Sequence, residues 1–427
     1  MAWVYCATKK KRLHHHQHSI NQYTLCQTFI VFIMSLPNVL ARGDEFLGEY
    51  PRNSTLWRFF SYGTCVFTIG MSKLILKSLY NVKLDHMDRL DNAINRSQSE
   101  NRGLLTIMNH MSVIDDPFIW GIFPWRIYKD LDSVRWCLGA NNVCFQNKIL
   151  ATFFSLGQVL STERFGVGPF QGSIDAAIRL LSPDDTLDLE WTPYSETPNK
   201  LVLPQKAGSL VKTIKEDYLP PIKRYKPSWM HVYPEGFVLQ LHPPFSNSMR
   251  YFKWGVSRMI LESTVAPIIV PIFTTGFEKI ASEEAAGSTI KRYIPTNFGA
   301  EIKVTVGNTI EDNVIEKYRE EWRQLVDKYY DPKNPVDLTQ ELKYGKEAQD
   351  LRSRLAAELR KYIAQIRHDE CKFPEEDARF QSSAWWKSYT LTEGASDPDV
   401  KFIGKNWAIR RLQKFLTKQE ENDRSSR

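Results

Sequence analysis

The chain has 427 residues, 42% of them hydrophobic and 25% charged, with a formal net charge of +7. That length can bury a large core, and the composition is that of a folded protein. The charge suits anionic phospholipid as well as nucleic acid, but no basic-aromatic module of a nucleic-acid binder is present. The six cysteines form no C-x-x-C pair, so the clustered thiolates of a zinc site are excluded and no metal or other cofactor is expected; they read as free, mostly buried thiols. The aromatic fraction of 12% favours surfaces with one apolar and one wet side.

Residues 1–46 form a leader. Up to residue 43 it has no Asp or Glu, and Lys9, Lys10, Lys11 and Arg12 precede an apolar run from Leu25 to Leu36. Such a pattern suits a signal anchor or a mitochondrial presequence, with a true start at Met34 as the alternative. His14, His15, His16 and His18 form a metal-binding-like tract, and the favoured reading is a solvated tail of biased composition. Residues 47–81 hold the sequence from Trp57 to Tyr80, whose charge-free core, Phe59 to Ser72, is shorter than the roughly 20 residues that span a bilayer. Arg58, Lys73 and Lys77 flank or interrupt it. This predicts a helix in the membrane interface, with a strained span eased by snorkelling lysines, or packing against the domain's own core, as alternatives. No later segment is apolar enough to span.

Residues 82–330 alternate short apolar runs with amphipathic ones. Strands are expected at 103–108, 134–140, 229–234, 267–273 and 301–307, and helices from Gln171 to Leu181 and from Phe252 to Thr264. The alternation predicts an α/β domain, a mixed sheet flanked by helices. A Pro-rich insert at 191–228 reads as a surface loop. Residues 331–427 form a helical extension: Glu347 to Arg367 is amphipathic with i,i+4 charge pairs, and a basic stretch, Trp407 to Lys418, follows. No chemistry is expected of it.

The line TIMNHMSVIDDP puts His110 at the end of a strand with Asp115 five residues on. On one helix that spacing rotates side chains apart by roughly 140°. A strand-to-helix turn instead brings them together, with Ser112 available as a cap. The carboxylate then orients one imidazole nitrogen and leaves the other to accept a proton. No G-x-S-x-G elbow is present, so the hydroxyl to be activated is expected on the substrate. The aromatic run 118–128 is expected either to dip into the headgroup layer or to be ordinary core.

The H-x-x-x-x-D pattern of His110 and Asp115, followed by the Glu235-Gly236 turn, resembles the glycerolipid acyltransferase superfamily. A second block is matched loosely by GQVLSTER, with Gly157 and Arg164. A third appears as Tyr233-Pro234-Glu235-Gly236-Phe237-Val238-Leu239, without the usual T-R-S. A fourth, APIIVPIF, contains Pro271. The aliphatic residues after P-E-G, the RYFKWGVSRMI run and ARGDEFL at 41–47 are similar to the tafazzins, especially fungal ones.

The resemblance implies that His110 is the base and Asp115 its partner. It implies that Arg164, with Gly157, Glu235 and Gly236, binds substrate. An arginine fork matches phosphate bidentately. Lys253 in the FKWG run reads as a solvated lysine, with contact to an anionic headgroup as the alternative. The resemblance further implies a CoA-independent transacylase that moves acyl chains from phospholipid to lysophospholipid, notably monolysocardiolipin. Its place would be on mitochondrial outer and inner membranes, on the intermembrane-space side, held monotopically, as a homo-oligomer or within membrane complexes. An acyl-CoA-dependent lysophospholipid or glycerol-3-phosphate acyltransferase is the alternative on the same scaffold. A membrane-shaping scaffold with a vestigial site is the alternative of another class.

Overall fold

The apolar, β-branched runs become the interior of a sheet. A computed structural model describes residues 37–164, 167–183, 188–192, 209–213, 220–241, 243, 245–281, 294–331, 333–334, 337–386, 421 and 424–425. The histidine tract, nearly all of the leader, much of the 191–228 insert and the basic stretch at 407–418 lie outside the described residues. In chain order come α1 (Pro37–Gly48), α2 (Thr55–Leu79), β1 (Asn81–Asp85), α3 (Met87–Ser99), β2 (Leu104–Met108), α4 (Asp115–Ile122), β3 (Trp136–Ala140), α5 (Asn141–Cys144), α6 (Lys148–Leu156), β4 (Val159–Thr162) and α7 (Gly172–Leu181). Then follow β5 (Asp188–Thr192), β6 (Ser209–Thr213), β7 (Trp229–Val232), α8 (Trp254–Leu261), β8 (Ile268–Thr275), α9 (Phe277–Ile280), β9 (Glu301–Val306), α10 (Asp312–Tyr329), α11 (Gln340–Tyr344) and α12 (Lys346–Gln365).

Among the described residues the main sheet has seven strands in the order β1-β9-β8-β2-β7-β3-β4. The strands from β8 to β4 run parallel, while β9 is antiparallel to β8 and β1 is parallel to β9. The fold is therefore mixed α/β with helices on both faces. β5 and β6 pair with each other; β6 lies inside the region read as a surface loop and β5 overlaps its start. Pro271 sits within the interior strand β8, where its carbonyl accepts a hydrogen bond from the Gly307 amide at 2.8 Å.

Side-chain alternation sorts the core into two layers. Leu105 and Ile107 of β2 face the layer that holds Ile178 of α7, Ile260 of α8, Trp322 of α10 and Leu355 of α12. Leu104 and Met108 face the other, with Cys65 and Ile69 of α2, Leu90 of α3 and Ile119 of α4. Because β2, β7, β3 and β4 are adjacent and parallel, their carboxyl ends lie along one side of the sheet, the position where open α/β sheets bind ligands.

Helix α2 is a single 25-residue helix, and it is long and apolar enough to cross a membrane. It packs through Ser61, Cys65, Ile69, Ser72 and Leu76, a stripe at helical spacing that carries two serines. Phe59 (72% exposed), Phe67 and Leu74 point outward. Two of its charges turn inward, while Lys77 is exposed: Arg58 pairs with Asp132 at 3.2 Å, and the Lys73 ammonium donates to the Phe123 carbonyl at 2.8 Å. Polarity is thus inverted relative to a helix that packs a core and faces water.

A buried ion cluster joins α7 to α8. Arg258, fully buried, pairs with Glu262 and with Asp175 at 2.8 Å and donates to the Pro169 carbonyl at 2.8 Å. Removing the cation leaves Asp175 with Arg42 at 2.8 Å and Glu262 with Arg352 at 3.7 Å, so both carboxylates lose a buried partner. Arg258→Met is expected to lower the unfolding free energy by about 3–5 kcal/mol, as read by denaturant titration in detergent.

Candidate active site

The turn after β2 is organised by one oxygen. Asp115, wholly buried, receives at Oδ2 a hydrogen bond from His110 Nδ1 at 2.9 Å, from the Met111 amide at 2.6 Å and from the Ser112 amide at 2.9 Å. Burial pushes the Asp115 carboxyl above its usual range, against the pull of His110 and the two amides. Ser112 does not cap α4; its hydroxyl donates to the Ala281 carbonyl at 3.3 Å, and Ile114 occupies the cap position. The His110 ring stacks on Tyr233 with centroids 4.4 Å apart.

Glu235, at the end of β7, holds the same turn from the other side. Its Oε1 accepts from the His110 amide at 2.9 Å and its Oε2 from the Arg250 amide at 2.8 Å. Burial pushes its carboxyl up to about 8, with those amides and Arg360 pulling it back. The side chain is only 2% exposed and does not line the cavity, so it clamps backbone where substrate contact was expected. Gly236 does line the cavity, at φ +69, a conformation that favours glycine. The Leu239 amide donates to the His110 carbonyl at 3.1 Å, binding the two turns together.

Arg164, after β4, lines the cavity with its guanidinium 5.7 Å from the Phe237 ring centroid. Gly157 does not. It ends α6, and its carbonyl accepts from Arg135 at 2.8 Å, so its expected substrate contact is replaced by a structural one. Arg135 in turn pairs with Asp116, which also accepts from the Trp120 indole at 3.0 Å. Burial raises the Asp116 carboxyl, but Arg135 outweighs it and the net shift is downward. Beside this pair lies His231, whose Nδ1 is 2.8 Å from the Thr106 hydroxyl; burial lowers its pKa to about 3, so it is neutral. Asp116, Arg135 and His231 form a support beneath Tyr233 that sequence spacing did not single out. The adjacency of Asp116 to Asp115 was its one signal.

His110 opens onto a cavity of about 700 Å³. Its lining includes the cations Arg164, Lys253 and Arg360 and the apolar side chains of Ile174, Val256 and Met259. Part of its wall comes from the extension, through Ser353, Ala356 and Arg360 of α12 and Gln381 beyond it, so the extension is more than an appendage. The aromatic run 118–128 is mostly core: Phe118, Trp120, Phe123 and Tyr128 are buried, and Trp125 is exposed. Lys253, read as solvated, is a half-buried part of the cavity wall. Among the described residues no group of three or more His, Cys, Asp or Glu could hold a metal ion.

Comparison with known proteins matches residues 89–275 to the acyltransferase family model. The chain is 64% identical to tafazzin of Saccharomyces cerevisiae over 383 residues, which cover 90% of this chain and 97% of that protein. It is 31% identical to a Dictyostelium discoideum protein named taffazin, covering 61% and 73% of the two chains. It is 29% identical to an N-acylphosphatidylethanolamine synthase of Arabidopsis thaliana, covering 64% and 75%. With a His–Asp pair at the carboxyl end of a central strand, its aspartate buried, and near-complete coverage of the yeast protein, the chain belongs to the tafazzin family of acyltransferases.

Proposed function

We propose that the chain is a transacylase remodelling cardiolipin, in which His110 acts as base on the free hydroxyl of a lysophospholipid. The observation that carries the mechanism is the Nδ1–Oδ2 bond of 2.9 Å between His110 and buried Asp115, in a histidine that also lines the cavity. With Nδ1 so engaged, Nε2 is the nitrogen left to take a proton. The acceptor hydroxyl attacks the donor ester carbonyl and gives its proton to Nε2, while Asp115 stabilises the imidazolium. The tetrahedral intermediate collapses, the donor's ester C–O bond breaks, and the departing lysophospholipid oxygen takes the proton back. Ester is exchanged for ester, so the step runs in either direction without an energy source. Arg164 holds a lipid phosphate, and Glu235 keeps the His110 turn in register.

The same reading puts the enzyme on mitochondrial membranes, held monotopically. The inverted polarity of α2 supports a lipid-facing role, since Phe59, Phe67 and Leu74 are exposed while Arg58 and Lys73 bond inward.

The first test is transfer in vesicles of phosphatidylcholine and labelled monolysocardiolipin with CoA and acyl-CoA omitted. Label is expected in cardiolipin, and a strict requirement for acyl-CoA would favour the CoA-dependent alternative. In this assay His110→Ala is expected to lose on the order of 10²–10⁴-fold in rate. Asp115→Asn should lose up to about 10⁴-fold by releasing the imidazole tautomer. Full activity in His110→Ala would refute the base. Replacing Phe59, Phe67 and Leu74 together by Ser is expected to weaken vesicle co-sedimentation at least about tenfold, while leaving thermal melting nearly unchanged, since these side chains bury apolar area only against lipid.

A further inference from the structure

The segment after the Glu235-Gly236 turn, Phe237-Val238-Leu239, supplies no polar side chain. A cation from elsewhere in the chain lies across that turn. A Cβ added to Gly236 would come 3.0 Å from both Cε and Nζ of Lys253. The Lys253 backbone is fixed there, its amide donating to the Pro234 carbonyl at 2.9 Å. Both residues line the cavity with His110.

The electrostatics around this lysine are one-sided. Its Nζ lies 4.5 Å from the Phe237 ring centroid, and the guanidiniums of Arg250 and Arg164 lie 4.6 Å and 5.7 Å from the same centroid. Among the described residues no carboxylate pairs with Lys253 and no acceptor meets its ammonium. The nearby acids are engaged elsewhere: Glu163 accepts from Asn141, Glu376 pairs with Arg360 at 2.8 Å, and Glu235 faces backbone amides beneath the turn. His110, Tyr233 and Tyr251 complete the ionisable surroundings. A half-buried ammonium beside two other cations, open to a cavity, is costly unless an anion enters.

We propose that Lys253 is a second phosphate ligand of the active site and that, with Arg164, it clasps the phosphodiester of a glycerophospholipid whose reacting oxygen lies at His110. The proposal rests on the transacylase reading given above and adds a recognition residue to it. The phosphate can belong to the acceptor or to the donor lipid, and the two sources are separable kinetically. Burial, reinforced by Arg250 and Arg164, lowers the Lys253 pKa to about 8. The ligand therefore loses its charge as pH rises through that value, whereas an arginine at this position would keep it.

The test uses the purified full chain on vesicles of phosphatidylcholine donor and monolysocardiolipin acceptor, varying the surface fraction of each in turn. In Lys253→Met the KM for the lipid whose phosphate is held should rise about tenfold, with kcat within about threefold. Lys253→Arg should keep the native KM at pH 7. Between pH 7 and 9 the native KM should climb, and in Lys253→Arg that climb should vanish. Which lipid's KM moves identifies the source of the phosphate. A monoacylglycerol acceptor, which has no phosphate, checks it: its KM should ignore the substitution.

An unchanged KM in Lys253→Met, or the same pH dependence in native enzyme and Lys253→Arg, overturns the proposal. So does a loss of kcat that Lys253→Arg fails to restore, which would mark a structural lysine. If thermal melting shows that Lys253→Met does not fold, the pH profile of Lys253→Arg decides alone. Failure of the base reading would look different, because His110→Ala would then stay active whatever Lys253 does.

Discussion

Three donors converge on a single carboxylate oxygen, Asp115 Oδ2, and much of the active site follows from that convergence. Two of the donors are the amides of Met111 and Ser112, so the turn between β2 and α4 can adopt only a shape that aims both inward. The third is His110 Nδ1, so the same shape sets the ring and its tautomer. The carboxylate is buried because α4 packs its apolar residues into the core, and removing it from water makes each of these bonds stronger. Glu235 repeats the device from the neighbouring strand, holding the amides of His110 and Arg250 with its two oxygens. His110 is thus fixed through its backbone by one acid and through its ring by another.

Much of this was legible in the residues, and the exceptions have physical reasons. The interior strands β2, β7 and β8 stood out because both of their faces are buried and they read as unbroken apolar runs. The edge strands β1 and β4 are short and partly exposed, and they did not stand out. His110 and Asp115 could be paired because the interaction is local. Glu235 was singled out, but its hold on the turns of His110 and Arg250 was not legible, since those partners lie elsewhere in the chain. The seat that the Gly157 carbonyl gives Arg135 was hidden for a similar reason. Lys253 has basic and aromatic neighbours that suggest a wet surface, and only the fold turns it toward the cavity. In α2 the charged residues seemed to break a lipid-facing helix, whereas their side chains reach Asp132 and the Phe123 carbonyl.

Arginine does unusual structural service in the extension. Arg360 donates to the Met249 and Arg250 carbonyls at 2.8 and 2.9 Å, and Arg367 donates to those of Ser246 and Asn247 at 3.0 and 2.9 Å. The segment so held carries Arg250 toward Phe237 and packs Phe245 against Phe380 and Trp386. The extension therefore shapes the site through backbone carbonyls, a route that leaves little trace in sequence motifs.

In the proposed mechanism the acyl chain passes directly to the acceptor hydroxyl and no enzyme nucleophile carries it, which constrains the order of events. Without an acyl-enzyme to store the chain, donor and acceptor must reach the imidazole together. A cavity of about 700 Å³ cannot enclose two such lipids, so their tails remain in the bilayer while only the reacting ester and hydroxyl enter. Turnover then depends on the chance that two particular molecules are neighbours in the leaflet. Diluting both into inert lipid would slow it with the square of their mole fraction, whatever the amount of enzyme on the surface.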